Sequence, residues 1–202
     1  METIRGRKSL ELDFYGLAKR LSGYDHIMMD LGTGDGRYVH YLAENNPGWF
    51  VIGMDLCREN LHEHSRAKLQ NMLFIIASAQ ELPRELNGLI SHVTINFPWG
   101  SLLEGLLTGD TKLIRGLAYL SRSAPSVDVR LNGGALAEAG WALETGTEQI
   151  YNNMIGAGWH VNTPVMLNAH ALRTFPSTWA KRIAFGRDPR AMELSGWLSS
   201  LP

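Results

Sequence analysis

The chain has 202 residues, 45% hydrophobic and 19% charged, with a formal net charge of −1. That suits one globular domain with enough chain for a core, and it excludes a global field that would pull the protein onto nucleic acid. No stretch approaches the roughly 18 apolar residues of a membrane span, the N-terminus lacks an apolar signal core, and Cys57 is the single cysteine. We therefore expect a soluble, cytoplasmic, monomeric protein without an internal disulfide.

Residues 2–12 read as a short hairpin turning near Gly6, and 13–21 as a first helix. Residues 24–31 are an apolar run of buried-strand type that stops in the glycine-rich turn D-L-G-T-G-D-G. A helix over 36–45 follows and ends at Asn46-Pro47-Gly48; a second strand then runs to Asp55. Residues 58–69 are expected to be helical, and 72–78 and 89–96 to be strands. Alternation of this kind implies an α/β fold with a mostly parallel sheet and helices on both faces. Residues 102–107 and 111–122 read as helices, 126–131 as a fifth strand, 133–146 as loop and short helix, and 147–156 as a helix closed by glycine. Residues 159–167, 180–187 and 192–198 read as terminal strands, an antiparallel pair closing the sheet edge. The whole is one domain: an extension over 1–22, a ligand-binding core over 23–132 and a substrate-recognition region over 133–202.

The glycine turn is a nucleotide-binding layout, because Gly32, Gly34 and Gly36 allow a tight turn and close approach of a ligand to the backbone. The nearby acids narrow the choice. Asp30 and Asp35 would repel phosphate, and no P-loop lysine follows the glycines. S-adenosylmethionine carries no phosphate, and its ammonium suits a carboxylate such as Asp30 at the strand end. Asp55, about 20 residues on, is placed to accept both ribose hydroxyls. His62 and His64 are two apart, the wrong spacing for one helix face, and no acid or cysteine completes a metal site.

Asn96-Phe97-Pro98-Trp99 ends the fourth strand, so it should face the same crevice as the glycine turn. Trp179 follows Phe175-Pro176-Ser177-Thr178 in a polar loop. Two tryptophans so placed could clamp a base drawn out of its stack. Arg173, Lys181, Arg182, Arg187 and Arg190 stand against the single acid Asp188, a local patch able to neutralise phosphates.

Four strings, D-L-G-T-G-D-G, I-G-M-D, F-P-W-G-S-L-L and S-T-W-A-K-R-I-A-F-G-R, in this order and spacing, resemble the 16S ribosomal RNA adenine-N1 methyltransferases of kanamycin-apramycin resistance. The similarity runs over nearly the whole chain, and the last string is its most specific part. It implies a Rossmann-like class I methyltransferase fold with antiparallel C-terminal strands, S-adenosylmethionine as donor, and methylation of the decoding-site adenine in the 30S subunit, which blocks several aminoglycosides. Carried over by motif, Asp30, Gly32, Gly34 and Asp55 hold the donor, with Ala79 and Gln80 beside its adenine and Ser101 near its methionine part. Trp99 and Trp179 sandwich the target, Pro98 and Ser177 shape its pocket, and Lys181, Arg182, Arg187 and Arg190 grip RNA phosphates. Three positions depart from the family. Gln80 stands where Glu is usual, the lysine-rich loop after the second-strand helix is reduced to Arg66 and Lys68, and Asp188-Pro189 interrupts the basic tail.

Adenine N1 is largely unprotonated at neutral pH, so alignment rather than a general base is the expected requirement. Methylation at N6 and a transfer RNA substrate stay open as chemical alternatives, as does a donor-binding homologue inactive on ribosomes.

Overall fold

In the computed structural model, residues 1–198 are described, with the backbone alone at 121–125; the last four residues of the expected C-terminal region, 199–202, lie outside them. Strands β1 (Glu2–Arg5) and β2 (Lys8–Glu11) form the N-terminal hairpin, followed by α1 (Phe14–Leu21), which Asp13 caps by accepting from the Gly16 amide at 2.7 Å. The parallel core is β3 (His26–Leu31), β4 (Trp49–Asp55), β5 (Met72–Ile76), β6 (Ile90–Asn96) and β7 (Ser121–Asn132). Helices α2 (Arg37–Asn45), α3 (Gly100–Thr108), α4 (Thr111–Tyr119), α5 (Gly133–Glu138) and α6 (Leu143–Gly156) connect or flank these strands. The chain ends with β8 (His160–Val161), β9 (Val165–Leu167), α7 (Ala169–Thr174), α8 (Thr178–Ala184) and β10 (Ala191–Trp197).

The sheet order is β2-β1-β5-β4-β3-β6-β7-β10-β8, with β9 also on β10. The strands from β5 to β7 are mutually parallel, and β10 is antiparallel to β7. The chain leaves β3 outward through β4 and β5, then returns to β6 on the other side. That reversal opens a crevice at the carboxyl ends of β3 and β6, where open α/β sheets bind ligands.

Side chains alternate faces along a strand, and β6 and β7 use this fully. Val93, Ile95, Val127, Val129 and Leu131 join Leu103, Leu106, Leu117 and Ile150 in the main core. The opposite face carries Thr94, Asn96, Asp128 and Arg130. Smaller apolar clusters fill the rest of that side: Val39 and Ala43 of α2 pack on Val51 and Phe74, and Leu172, Ala180 and Ile183 pack on Phe97 and Ala191.

Two expectations fail. Residues 58–69 form two short 3₁₀ turns, Asn60–His62 and Arg66-ending His64–Arg66, rather than a helix. The segment has no apolar stripe, with Leu61 and Ser65 its buried residues, and the Ser65 hydroxyl is spent accepting from the Gly6 amide of the hairpin at 2.8 Å. Residues 180–187 are not a strand but the body of α8, because Ser177 supplies an N-cap and Ala180 and Ile183 form an i, i+3 buried stripe. The edge is closed instead by β10 with β8 and β9, the 159–167 segment being split in two. Boundaries also move: α4 ends at Tyr119, β7 begins at Ser121, and α6 starts at Leu143. Among the described residues, no helix is long and apolar enough to cross a membrane.

Candidate active site

The turn after β3 is shaped by glycines in left-handed backbone. Gly32 has φ +72° and a Cβ there would stand 2.6 Å from Leu102; Gly36, at the start of α2, has φ +77° and a Cβ would meet the Phe74 ring at 2.4 Å. Only glycine combines that backbone with that proximity. The amides of Gly32 and Thr33 donate to the Met54 carbonyl at 2.8 and 3.0 Å, so the turn is tied to the end of β4.

Asp55 closes β4 with one oxygen on this loop and the other on the turn that follows β4. Oδ2 accepts from the Gly34 amide and Oδ1 from the Cys57 amide, each at 2.8 Å. Burial pushes its carboxyl above the usual range, against the pull of these backbone bonds. Asp30, at 2% exposure, lies beneath the loop. Thr94 Oγ1 and Asn96 Nδ2 both donate to its Oδ1 at 2.7 Å. Burial raises its carboxyl too, opposed by these bonds and by the charge of Arg130. The same buried surroundings and the field of Asp30 hold the Tyr38 phenol well above its ordinary value.

A cleft of ≈ 250 Å³ runs from this loop to the β6 corner. Gly32, Gly34, Asp55, Ala79, Gln80, Pro98, Trp99, Ser101 and Trp179 line it, so nine of the sequence-predicted residues converge there. Asp30 sits below the lining and Ser177 caps α8, its Oγ accepting from the Ala180 amide at 3.5 Å. Gln80 bridges two elements: its Oε1 accepts from Ser78 Oγ at 2.7 Å and its Nε2 donates to the Ser101 carbonyl at 2.9 Å.

The corner after β6 is strained. Phe97 has φ +54°, a left-handed conformation that costs a bulky residue on the order of 1–3 kcal/mol. It is held by a bond from its amide to the Arg130 carbonyl at 2.7 Å and by burial of its ring, edge-on to Phe175 at 5.8 Å. The result presents Trp99 at the head of α3. Trp179, one residue into α8, faces it with ring centroids 5.8 Å apart and a 35° tilt, each ring 38% exposed. Half-exposed paired indoles at a cleft mouth are the wrong use of tryptophan for a core and the right one for stacking a planar ligand.

Several participants were not anticipated from the sequence. Leu56 and Asn60 also line the cleft, and Thr178 donates to Asp35 Oδ2 at 2.6 Å, joining α8 to the glycine loop. Arg130 donates from Nη1 to Asn96 Oδ1 at 2.8 Å, pairs with Glu193 and Asp128, and lies 5.0 Å from the Phe175 ring centroid. The alternation V-D-V-R-L did signal that Asp128 and Arg130 share a face. Of the basic tail, Arg182 stands 5.1 Å from the Trp179 ring, and Arg182 and Arg187 are exposed while Lys181 is half-buried. Arg190 is exposed but tied, with Nε and Nη2 on Asp188 at 2.8 and 3.0 Å and Nη1 near Glu144 at 3.4 Å.

These residues fit S-adenosylmethionine. Both bonds from Thr94 and Asn96 fall on Asp30 Oδ1, which leaves Oδ2 with acceptor capacity for an ammonium, and each Asp55 oxygen keeps a lone pair for a ribose hydroxyl. Fold and site together define a Rossmann-like, S-adenosylmethionine-dependent methyltransferase. Residues 2–197 match the profile of the NpmA family, described as 16S rRNA (adenine(1408)-N(1))-methyltransferase, and the chain belongs to that family. A relative of the same description from Escherichia coli is 30% identical over 220 residues, covering 98% of this chain and 99% of its own. The crystal structure of the 16S rRNA methyltransferase KamB superposes with a TM-score of 0.88 at 28% identity, covering 98% of this chain and all (100%) of that one. The aminoglycoside resistance methyltransferase NpmB1 gives 0.80 at 30% identity, with 98% of each chain covered.

Proposed function

We propose that this chain methylates N1 of adenine 1408 of 16S rRNA, acting on the assembled 30S subunit in the cytoplasm as a metal-independent monomer, and so confers aminoglycoside resistance. The observation that carries this is the Trp99–Trp179 pair, set across the mouth of the donor cleft at 5.8 Å.

A base held between two rings needs two stacking separations of about 3.5 Å, or about 7 Å in all. With centroids 5.8 Å apart, the rings must separate by about 1 Å to admit a base, the tilt relaxing toward parallel. Asp30, Asp55 and Gln80 hold the donor, which supplies an electrophilic methyl group. The chain contributes alignment: the clamp keeps the adenine plane fixed so that N1 meets that methyl in line, within about 3–3.5 Å. Methylated adenine is cationic, and each indole face stabilises it by on the order of 1 kcal/mol. Arg182 and Arg187 meet RNA phosphates around the mouth.

The test is transfer of labelled methyl from S-adenosylmethionine to purified 30S subunits, read by reverse transcription. A strong stop at adenine 1408 is expected, since a methyl on N1 blocks pairing. Absence of incorporation into 30S, with donor binding intact by calorimetry, would refute the reading.

A further inference from the structure

The Asn96-Phe97-Pro98-Trp99 corner has the look of the motif by which some methyltransferases present an Asn carbonyl to the exocyclic amine of a target base. In this chain that carbonyl is already engaged. Asn96 Oδ1 accepts from Arg130 Nη1 at 2.8 Å, while Nδ2 donates to Asp30 Oδ1 at 2.7 Å. A guanidinium can only donate and an ionised carboxylate can only accept, so the amide has one permitted orientation, pinned at both ends between β3 and β7.

We infer that Arg130 is a positioning residue that commits Asn96 to the donor side of the site: by fixing the orientation of the amide it makes Asn96 a strut for Asp30. The inference rests on the reading of this cleft as a donor site.

The support for Arg130 is itself built in. Register places Asn96 opposite Arg130 across β6 and β7, and Arg130 opposite Glu193 across β7 and β10. Glu193 and Asp128 (3.6 Å) neutralise the guanidinium, and Phe175 covers it at 5.0 Å. The side chain is 13% exposed, so its geometry is set by packing rather than by solvent. The strut then acts through one oxygen. Asn96 and Thr94 both donate to Oδ1 of Asp30, which leaves the lone pairs of Oδ2 to the donor's ammonium. Asn96 Oδ1 spends one lone pair on Arg130, and that bond fixes which end of the amide meets Asp30.

The experiment measures donor affinity by calorimetry without RNA, and kcat and KM for RNA separately, in Asn96→Ala, in Arg130→Met with Glu193→Gln, in both together, and in Arg130→Lys. The paired Glu193→Gln change removes one of the two carboxylates that face the lost guanidinium, the other, Asp128, keeping His92 at 3.3 Å and the Ser195 hydroxyl at 2.7 Å; Asn96→Ala keeps the ion pairs intact if the Arg130 variant fails to fold. Removing a bond to a charged group should raise the donor Kd by about tenfold or more in Asn96→Ala and in the Arg130 variant. The combined variant should be no worse than the poorer of the two by more than about twofold, because both break one chain of bonds. Arg130→Lys, which keeps the charge and one donor, should recover much of the loss, and KM for RNA should hold. Donor Kd within about twofold of wild type in Asn96→Ala, with a fall in kcat, would place Asn96 against the target base and overturn the inference. Failure of the wild-type protein to bind the donor would instead sink the functional reading itself.

Discussion

Replacing Trp179 with Ala removes one jaw of the clamp while touching little else. The residue is 38% exposed, and a Cβ built on Gly34 would lie 3.7 Å from its indole. Stacking of a base on one aromatic face is worth about 1–3 kcal/mol, which converts to about a 5- to 150-fold fall in kcat/KM for 30S subunits. The base stays against Trp99, so activity is not abolished. Donor affinity should hold within about threefold, because Asp30 and Asp55 are untouched, while the melting temperature should fall by a few degrees, because more than half of the indole surface is covered. Trp179→Phe, which retains an aromatic face, should recover most of the rate. The assay is steady-state methyl transfer to 30S with donor binding measured in parallel. A loss in donor affinity equal to the loss in kcat/KM would refute the clamp, as would kcat/KM within about threefold of wild type.

Three further outcomes are expected. Gly32→Ala would place a Cβ 2.6 Å from Leu102 in left-handed backbone at φ +72°, costing on the order of 1–2 kcal/mol in backbone alone; a melting temperature lower by several degrees and donor affinity reduced by about tenfold or more should follow in thermal-shift titration. Burial raises the carboxyls of both Asp30 and Asp55. A carboxylate with a raised folded-state pKa stabilises the empty protein when protonated, a contribution present at low pH and lost as pH rises through that pKa. The donor needs the ionised form, so the stabilisation that it confers should shrink on acidification, starting above the ordinary carboxylate range, and Asp30→Asn should weaken binding and flatten that dependence. Asp188→Ala frees the Arg190 guanidinium from a bidentate pair; binding to 30S should tighten at low salt and the log–log salt slope should steepen by about 1, whereas an unchanged slope would mean that Arg190 does not reach RNA.

Much of this could be read from residue order. The glycine run after an apolar strand, the acid ending β4 and the two tryptophans near prolines each carried a local signal, and all of them meet at one cleft. The misreadings have physical sources. In 180–187, I-A-F looks like strand, but a helix start is encoded just upstream by Ser177, and the buried positions Ala180 and Ile183 are spaced for a helix. In 58–69, the composition is compatible with a helix, but nothing lines up to bury one face. Arg130 and Thr178 were passed over because what each does depends on partners remote in sequence: Asn96 lies 34 residues from Arg130, and Asp35 lies 143 from Thr178. Local pattern cannot report a contact whose other half is set by strand order.

The polar row on β3, β6, β7 and β10 also bears on how the sheet finds its pairing. Asp30 sits opposite Thr94, Thr94 opposite Asp128, and Asp128 opposite Ser195, whose hydroxyl donates to Asp128 at 2.7 Å. Hydrophobic strands rich in valine and leucine tolerate sliding, because one apolar residue packs much like the next. A slip of β7 by one residue would turn Asp128 and Arg130 into the apolar layer of α3, α4 and α6 and leave Val127 and Val129 facing Asp30 and Glu193. Burying that charge unpaired costs several kcal/mol, comparable with the whole stability of a domain. The row therefore acts as a key that admits a single alignment of four strands, so the groups that ready the donor site also reject the misaligned folds in which no donor site would exist.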